Sequence, residues 1–457
     1  MASSGRNPRL SATSHFILFL VLSVSLAAFA ALPDAPTPQN IPSAPPPPGT
    51  GVLRLTLAQA EQLAFKNNPQ ITVSKLLTLA EHQVVRETRA TELPTATGSI
   101  TAVDAHNGTR ITAGVLNNPS VFERAGAGVT VGQLITDFGR TRNLVASSKF
   151  REQAQQQTQE ATAYDVLLTT DQSFYAALEA QAQLVVAQQT VNARQTTVDQ
   201  VQALTQAKLK SDLDLSFANV NLAQAKLLLL DAQDKKDAAF ANLNAILGFE
   251  KNTTYLLIDE SDNTPARPPA NGEDLVTQAL RSRPDLIALD DQWQAAQRFS
   301  RAERDLNRPA ISALGAVGGT PVRADQISTP WYGAVGVNLS VPVFNGFLFS
   351  ARANEAAYRS SALEQQVRDL RDRIARDVRT TWLQANTAYQ RLSVTAQLLQ
   401  EASLALDLAQ TRYKLGLSSI VELSQAQLQQ TAAQIGNANA RYDYLATLAA
   451  LNYQLGR

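Results

Sequence analysis

The most regular alternation in the chain spans residues 331–343. Odd positions read Trp331, Gly333, Val335, Val337, Leu339, Val341 and Val343; even positions read Tyr332, Ala334, Gly336, Asn338, Ser340 and Pro342. A period of two over about a dozen residues matches a tilted membrane β-strand. Residues 125–135 repeat it, with Ala125, Ala127, Val129, Val131 and Ile135 on one side and Gly126, Gly128, Thr130 and Gly132 on the other. Gln133 is the exception on the apolar side. Residues 95–104 alternate Thr and Ser with Ala96, Gly98, Ile100 and Ala102, and residues 311–318 are the weakest of the four predicted strands. Aromatics bracket the strands: Phe122, Trp331 and Tyr332 at one end, Phe138, Phe344, Phe347 and Phe349 at the other. That placement fits interfacial girdles, although a soluble β-sandwich would bury the same rings. Four strands cannot close a barrel, and lipid does not tolerate open edges, so several chains must pool them: two give eight, three give twelve.

Between the strands the pattern is helical. Two proline-free stretches, about 140–209 and 348–415, predict helices of about 70 residues, on the order of 100 Å long. Leu392, Leu399, Leu406 and Tyr413 are spaced by sevens, with Thr395, Ala402 and Ala409 three later. Beyond a short break, Val421, Leu428, Ile435, Tyr442 and Ala449 continue by sevens, a coiled-coil seam with small residues that lets helices approach closely. The first half carries a weaker version, Leu184, Val191, Val198 and Val201. A helix is also predicted before each strand pair. The first opens at Thr56 with Gln59 three later, a capping box, and carries its apolar face past Pro69 to Ile71. The second can be capped by Asn271 or Asp274, and prolines 94 and 309 end the two.

The same order occurs twice. Asn68-Pro69 and Leu93-Pro94 recur as Arg283-Pro284 and Arg308-Pro309 at a shift of about 215; Phe138-Gly139, Tyr175 and Leu247-Gly248 recur as Phe344-Asn345-Gly346, Trp382 and Leu455-Gly456 at about 207. So long a period means a duplicated unit rather than a solenoid. The expected fold is mostly α with a membrane β part, built from two helix–strand–strand–long helix–helix units. In each, two shorter helices would stack end to end beside the long one, strands at one end of the rod and the break at the other. The repeats are placed at 53–248 and 273–457, with an inter-repeat segment at 249–272.

Composition narrows the function. Forty basic and forty acidic residues give zero net charge, which argues against nucleic acid as a partner. Cysteine is absent, which excludes disulfides, thiolate chemistry and a cysteine-borne lipid anchor. His15, His82 and His106 lack metal-ligand spacing, and Asp369, Asp372 and Asp377 interleave with arginines as exposed helix pairs do. No cofactor, metal site or convergent catalytic set is expected. Arg6 and Arg9 precede an apolar run ending in Ala28-Phe29-Ala30, so residues 1–31 read as a secretory signal peptide and 32–52 as a proline-rich linker. No later run is long enough for a spanning helix.

These residues carry a resemblance. The Ala-rich helix ending in Asn67-Asn68-Pro69, Asp137-Phe138-Gly139-Arg140 after a strand, Tyr413 to Leu423 at the second break (Gly416 and Glu422 within it), and Ala440-Arg441-Tyr442-Asp443-Tyr444 together resemble the outer membrane efflux protein (TolC) family, from about residue 53 to 456. The resemblance implies a homotrimer with a 12-stranded barrel in outer-membrane lipid, set on a 12-helix periplasmic tunnel. It implies an exit duct for an inner-membrane pump, coupled through a periplasmic adaptor. The breaks would be adaptor-facing tips, with Leu415, Gly416, Leu417 and Ser418 in the second copy and Lys210, Ser211 and Asp212 in the first; a plain turn would use the same residues. Glu422 matches a family position for an acidic ring at the entrance, while the second such position holds the uncharged Gln425. Three carboxylates there would favour cations; a solvated helix carboxylate is the plainer alternative. The rival function is a periplasmic coiled-coil scaffold without a pore, which has no need of the strands.

Overall fold

The computed structural model describes residues 53–104, 124–249, 253, 255–259, 267–322 and 329–457. The expected signal peptide, the proline-rich stretch and Phe122 lie outside these residues. The first half contains β1 (Leu53–Leu55), α1 (Leu57–Asn67), α2 (Pro69–Ala90), β2 (Thr95–Val103), β3 (Arg124–Thr136), α3 (Arg140–Gln206) and α4 (Asp212–Ile246). After β4 (Tyr255–Leu257), the second half repeats the order with α5 (Gly272–Ser282), α6 (Pro284–Arg304), β5 (Ala310–Val322), β6 (Trp331–Ser340), α7 (Leu348–Lys414) and α8 (Ile420–Gln454). A short 3-10 turn, Asp305–Asn307, joins α6 to β5.

The expected capping box forms: Thr56 Oγ1 accepts from the Gln59 N–H, and Gln59 Oε1 accepts from the Thr56 N–H. Asn271, rather than Asp274, caps α5 by accepting from the Glu273 N–H at 3.1 Å. The helix expected to run through Pro69 is instead two helices. Asn68 is extended at φ −68°, ψ 121°, because the proline ring excludes its helical conformation, and Pro69 begins α2. Arg283 makes the same break before Pro284 at φ −70°, ψ 118°.

These breaks receive the ends of the half-length helices. Asn67 Nδ2 donates to the Leu247 carbonyl at 3.2 Å, and Ser282 Oγ donates to the Leu455 carbonyl at 2.6 Å. Gly248 and Gly456, at φ 72° and 70°, turn the chain just there. A Cβ at either would come within 2.9 Å of Asn67 or Ser282, so both handedness and proximity demand glycine. Each 35-residue helix thus abuts the start of α2 or α6 beside a 67-residue helix, as helix length suggested. Side by side, α2, α3, α6 and α7 form the wall on the strand side, and α4, α3, α8 and α7 continue it on the other. The parallel pair β1–β4 and helix α1 add a second layer on α3, over Val166, Phe174 and Leu178. On α7, helix α5 covers Ile374 and Val378.

Strands β2, β3, β5 and β6 pair antiparallel in that order. β5 covers 13 residues rather than the eight expected; its Gly315, Gly318 and Gly319 blur the alternation, but pairing with neighbours on both sides holds the strand extended. β6 stops at Ser340, short of 343, because Pro342 has no N–H for a ladder. One face reads Val335–Gly315–Val131–Ala96 and Gly333–Val317–Val129–Gly98 across the four strands; the other reads Ala334–Ala316–Thr130–Thr97. The apolar face is bare: Val335 is 93% exposed and Val337 71%. Gln133, the exception in the pattern, donates to the carbonyls of Glu92 and Leu134.

Candidate functional site at the helix breaks and the sheet

The two helix breaks are built alike from different residues. In the second, the Gly416 N–H donates to Tyr413 and the Leu417 N–H to the Arg412 carbonyl at 2.8 Å, a Schellman closure with Gly416 at φ 74°. In the first, the Lys208 N–H donates to Thr205 and the Leu209 N–H to the Leu204 carbonyl at 2.9 Å, and Lys208 takes the left-handed position at φ 60°. The missing glycine therefore leaves the turn geometry unchanged and loads it with backbone strain. Ser211 and Ser419 then cap the next helices, accepting from the Asp214 and Glu422 N–H groups.

Glu422 does more than close a turn. Its carboxylate accepts from Arg412 Nε across the break at 3.0 Å, with both side chains about half exposed. Asp214, at the matching position of the first copy, turns back instead to accept from the Ser211 N–H and hydroxyl. Gln425 is exposed. Lys210 is half-buried, its ammonium 4.3 Å from the centre of the Tyr413 ring, so the two breaks touch. Beneath them, Val201, Leu222, Ala409, Tyr413, Ile420 and Leu423 form one apolar cluster. Burial and the Asp214 carboxylate raise the Tyr413 phenol above its ordinary pKa. Outside the cluster, Leu209, Leu213, Leu415 and Leu417 remain 65–71% exposed. Ser211, Asp212 and Gly416 are exposed, and Ser418 is half-buried. The Arg412–Glu422 pair, Lys208 and Asp214 were not singled out from the sequence. The recurrence of Ser-x-x-acid at 211–214 and 419–422 is the signal that could have found Asp214.

A second titratable cluster sits where α1 meets α3. Burial, then repulsion from Glu61, push the Asp171 carboxyl up to about 7. Nearby, Tyr442 donates to Asp259 at 3.1 Å, and Arg441 pairs with the same carboxylate at 3.0 Å.

At the sheet, Trp331 is 64% exposed on the apolar face. Tyr332 is not its companion: its ring lies on the opposite face across Gly318 and Gly128, where an added Cβ would collide with it. Strand alternation puts the two on opposite sides, so they cannot share one belt. At the other end, Phe344 and Phe347 are 79% and 75% exposed and pack edge to face at 5.9 Å. Phe138 is 47% exposed, whereas Phe349 lies half-buried in the first turn of α7.

The sequence profile described as outer membrane efflux protein matches residues 61–249 and 275–457. The chain belongs to the outer membrane efflux protein family. The family comprises transport channels of the outer membrane rather than enzymes. Among this member's relatives, the outer membrane protein TolC of Salmonella enteritidis is 22% identical over 416 residues, covering 88% of this chain and 83% of TolC. The crystal structure of CusC superposes with a TM-score of 0.77 at 18% identity, over 88% of this chain and 92% of CusC. The CmeC outer membrane channel of Campylobacter jejuni gives 0.76 at 16% identity, over 88% and 85%. The fold of this family member is therefore that of a channel protomer, a helical wall carrying a four-stranded sheet.

Proposed function

We propose that three copies of this chain close into a 12-stranded outer-membrane barrel on a 12-helix periplasmic tunnel, and that the assembly is a passive exit duct. The observation that carries this is the sheet. It has two unpaired edges, β2 and β6, and an apolar face on which Val335, Val337, Leu339 and Trp331 are all exposed, which is unfavourable in water. Lipid solves the face and neighbouring copies solve the edges. A scaffold without a pore explains neither. No helix among the described residues is long and apolar enough to cross a membrane.

At the far end, the exposed leucines of the two breaks form the contact for a periplasmic adaptor, which joins the duct to an inner-membrane pump. The pump supplies the energy, and the duct supplies a path. Because the chain has no cysteine, a pair such as Thr97→Cys with Asn338→Cys introduces thiols only at the two edge strands. Oxidation is expected to give a ladder ending at three chains, and the purified protein to pass current across a planar bilayer. A monomer in mild detergent that passes no current would overturn the proposal.

A further inference from the structure

The zero net charge of the chain conceals a basic groove just below the sheet. It lies between α3 and α6, has a volume of about 700 Å³, and is lined by Arg142, Arg298, Arg301, Arg304 and Arg308, with Asp305 the one acid. Arg308 is occupied: it pairs with Asp305 at 3.2 Å and donates to the Phe138 carbonyl at 2.7 Å. Among the described residues, the other four guanidiniums have no acidic partner, and Arg142, Arg301 and Arg304 are exposed. The start of α3 is already capped, because the Asp137 carboxylate accepts from the Gly139 and Thr141 N–H groups, so the arginine side chains alone make the groove basic.

Asn143 and Ala146 line the groove, and they lie four heptads from Asp171 and Phe174, the residues that meet α1. On α7, Ala357, Ser360 and Ser361 border Arg301 and Arg304. They lie whole heptads from Val378, Ile374 and Trp382, the residues under α5. In packed helices, whole heptads keep one face. The arginines are thus on the face that carries the second layer, and in the proposed tunnel that face is taken as the outer one, since a second layer on the inside would fill the lumen. The opposite face of α6, with Gln292 and Phe299, lines a different groove. Nor does a neighbouring copy cover the arginines, because α3 and α6 are the middle of the wall and the copies meet at its edges.

Height supplies the partner. Arg308 and Arg142 lie two residues from the first β5 and first α3 positions; Arg304 is about 6 Å and Arg301 about 10 Å further down at 1.5 Å per residue, near enough for their long side chains to reach back up, whereas Arg298 is about 15 Å down. The headgroup layer of one leaflet is roughly 5–8 Å deep. Half-exposed Phe138 borders the same groove, an aromatic at the depth where such rings mark a membrane interface. Resting on the membrane reading proposed above, we infer that this groove binds the phosphate headgroup of an anionic phospholipid in the periplasmic leaflet, fixing the barrel's depth. Planar guanidinium forks suit phosphate oxygens, and three unpaired ones within reach, Arg142, Arg301 and Arg304, suit an anionic lipid over a zwitterionic one.

The test offers the purified full chain in mild detergent phosphatidylglycerol or phosphatidylcholine of the same acyl chains, and counts retained lipid by native mass spectrometry. Phosphatidylglycerol should be retained preferentially. Arg301→Gln with Arg304→Gln should lower that preference about 25-fold, at roughly fivefold per basic residue near an anionic surface. Both side chains are exposed, so the variant should still assemble; Arg301→Lys with Arg304→Lys should give an intermediate preference. Equal retention of the two lipids by a conducting wild-type trimer overturns the inference and leaves the duct intact. Competition by millimolar inorganic phosphate would mean a free-anion site and overturns it too. So would a change in ion selectivity of the variant with its lipid unchanged, since the groove would then face the lumen. A chain that neither assembles nor conducts would sink the duct along with it.

Discussion

Neutralising Glu422 separates two accounts of the entrance. If its carboxylates stand free in a ring, Glu422→Gln abolishes a cation preference and Arg412 is irrelevant. The structure joins the two at 3.0 Å with both about half exposed. Such a pair contributes only about 0.2–1 kcal/mol, so neither substitution should disturb assembly. The electrical effect is larger. Around the two breaks, residues 204–217 and 412–425 carry four cations (Lys208, Lys210, Arg412, Lys414) and three acids (Asp212, Asp214, Glu422), a net of one positive charge per chain. Removing Glu422 raises this by one in every copy, removing Arg412 lowers it by one, and removing both restores it. Reversal potentials in a potassium chloride gradient, below 0.1 M where the Debye length exceeds about 10 Å, should therefore move toward anions in Glu422→Gln. They should move toward cations in Arg412→Gln and return to the wild-type value in the double variant. An unchanged reversal potential in Arg412→Gln beside a loss of cation preference in Glu422→Gln would refute the paired account and favour the free ring.

Asp171→Asn should flatten one part of the pH profile of stability. The native carboxyl keeps its proton up to about 7, whereas the unfolded one loses it near 3.8, so stability is greatest below 3.8 and declines as pH rises to about 7. Thermal melts between pH 4 and 8 should show that decline in the wild type and a shallower one in the variant; parallel profiles would count against the raised Asp171 carboxyl. Lys208→Gly should tighten the first break, since a left-handed non-glycine residue costs roughly 1–2 kcal/mol and glycine's extra chain entropy returns about 0.5–1 of it. Hydrogen exchange at the Leu209 amide, which donates to Leu204, should slow severalfold, and faster exchange would contradict the strain argument.

The sequence by itself determined the secondary structure and its duplication, because both follow from local periodicity. Strand alternation, heptads and the helix-ending prolines 94 and 309 depend only on neighbours along the chain, whereas the breaks at Pro69 and Pro284 were read through. Even so, local rules missed the length of β5, whose glycines weaken the pattern while its partners on both sides hold it extended. Tyr332 looked like a girdle residue by position, and only cross-strand register places its ring over Gly318 and Gly128. The tips were legible where a glycine marked them. Lys208 was silent, because the left-handed turn it adopts is imposed by the Schellman hydrogen bonds and the packing around them. Pairings between separate elements were decided by tertiary structure alone: Lys210 on Tyr413, Asp171 against Glu61, and arginines of α3 and α6 across one groove. Sequence spacing cannot report which faces of distant helices meet, and charge interactions fall off over a few ångströms of space rather than along the chain.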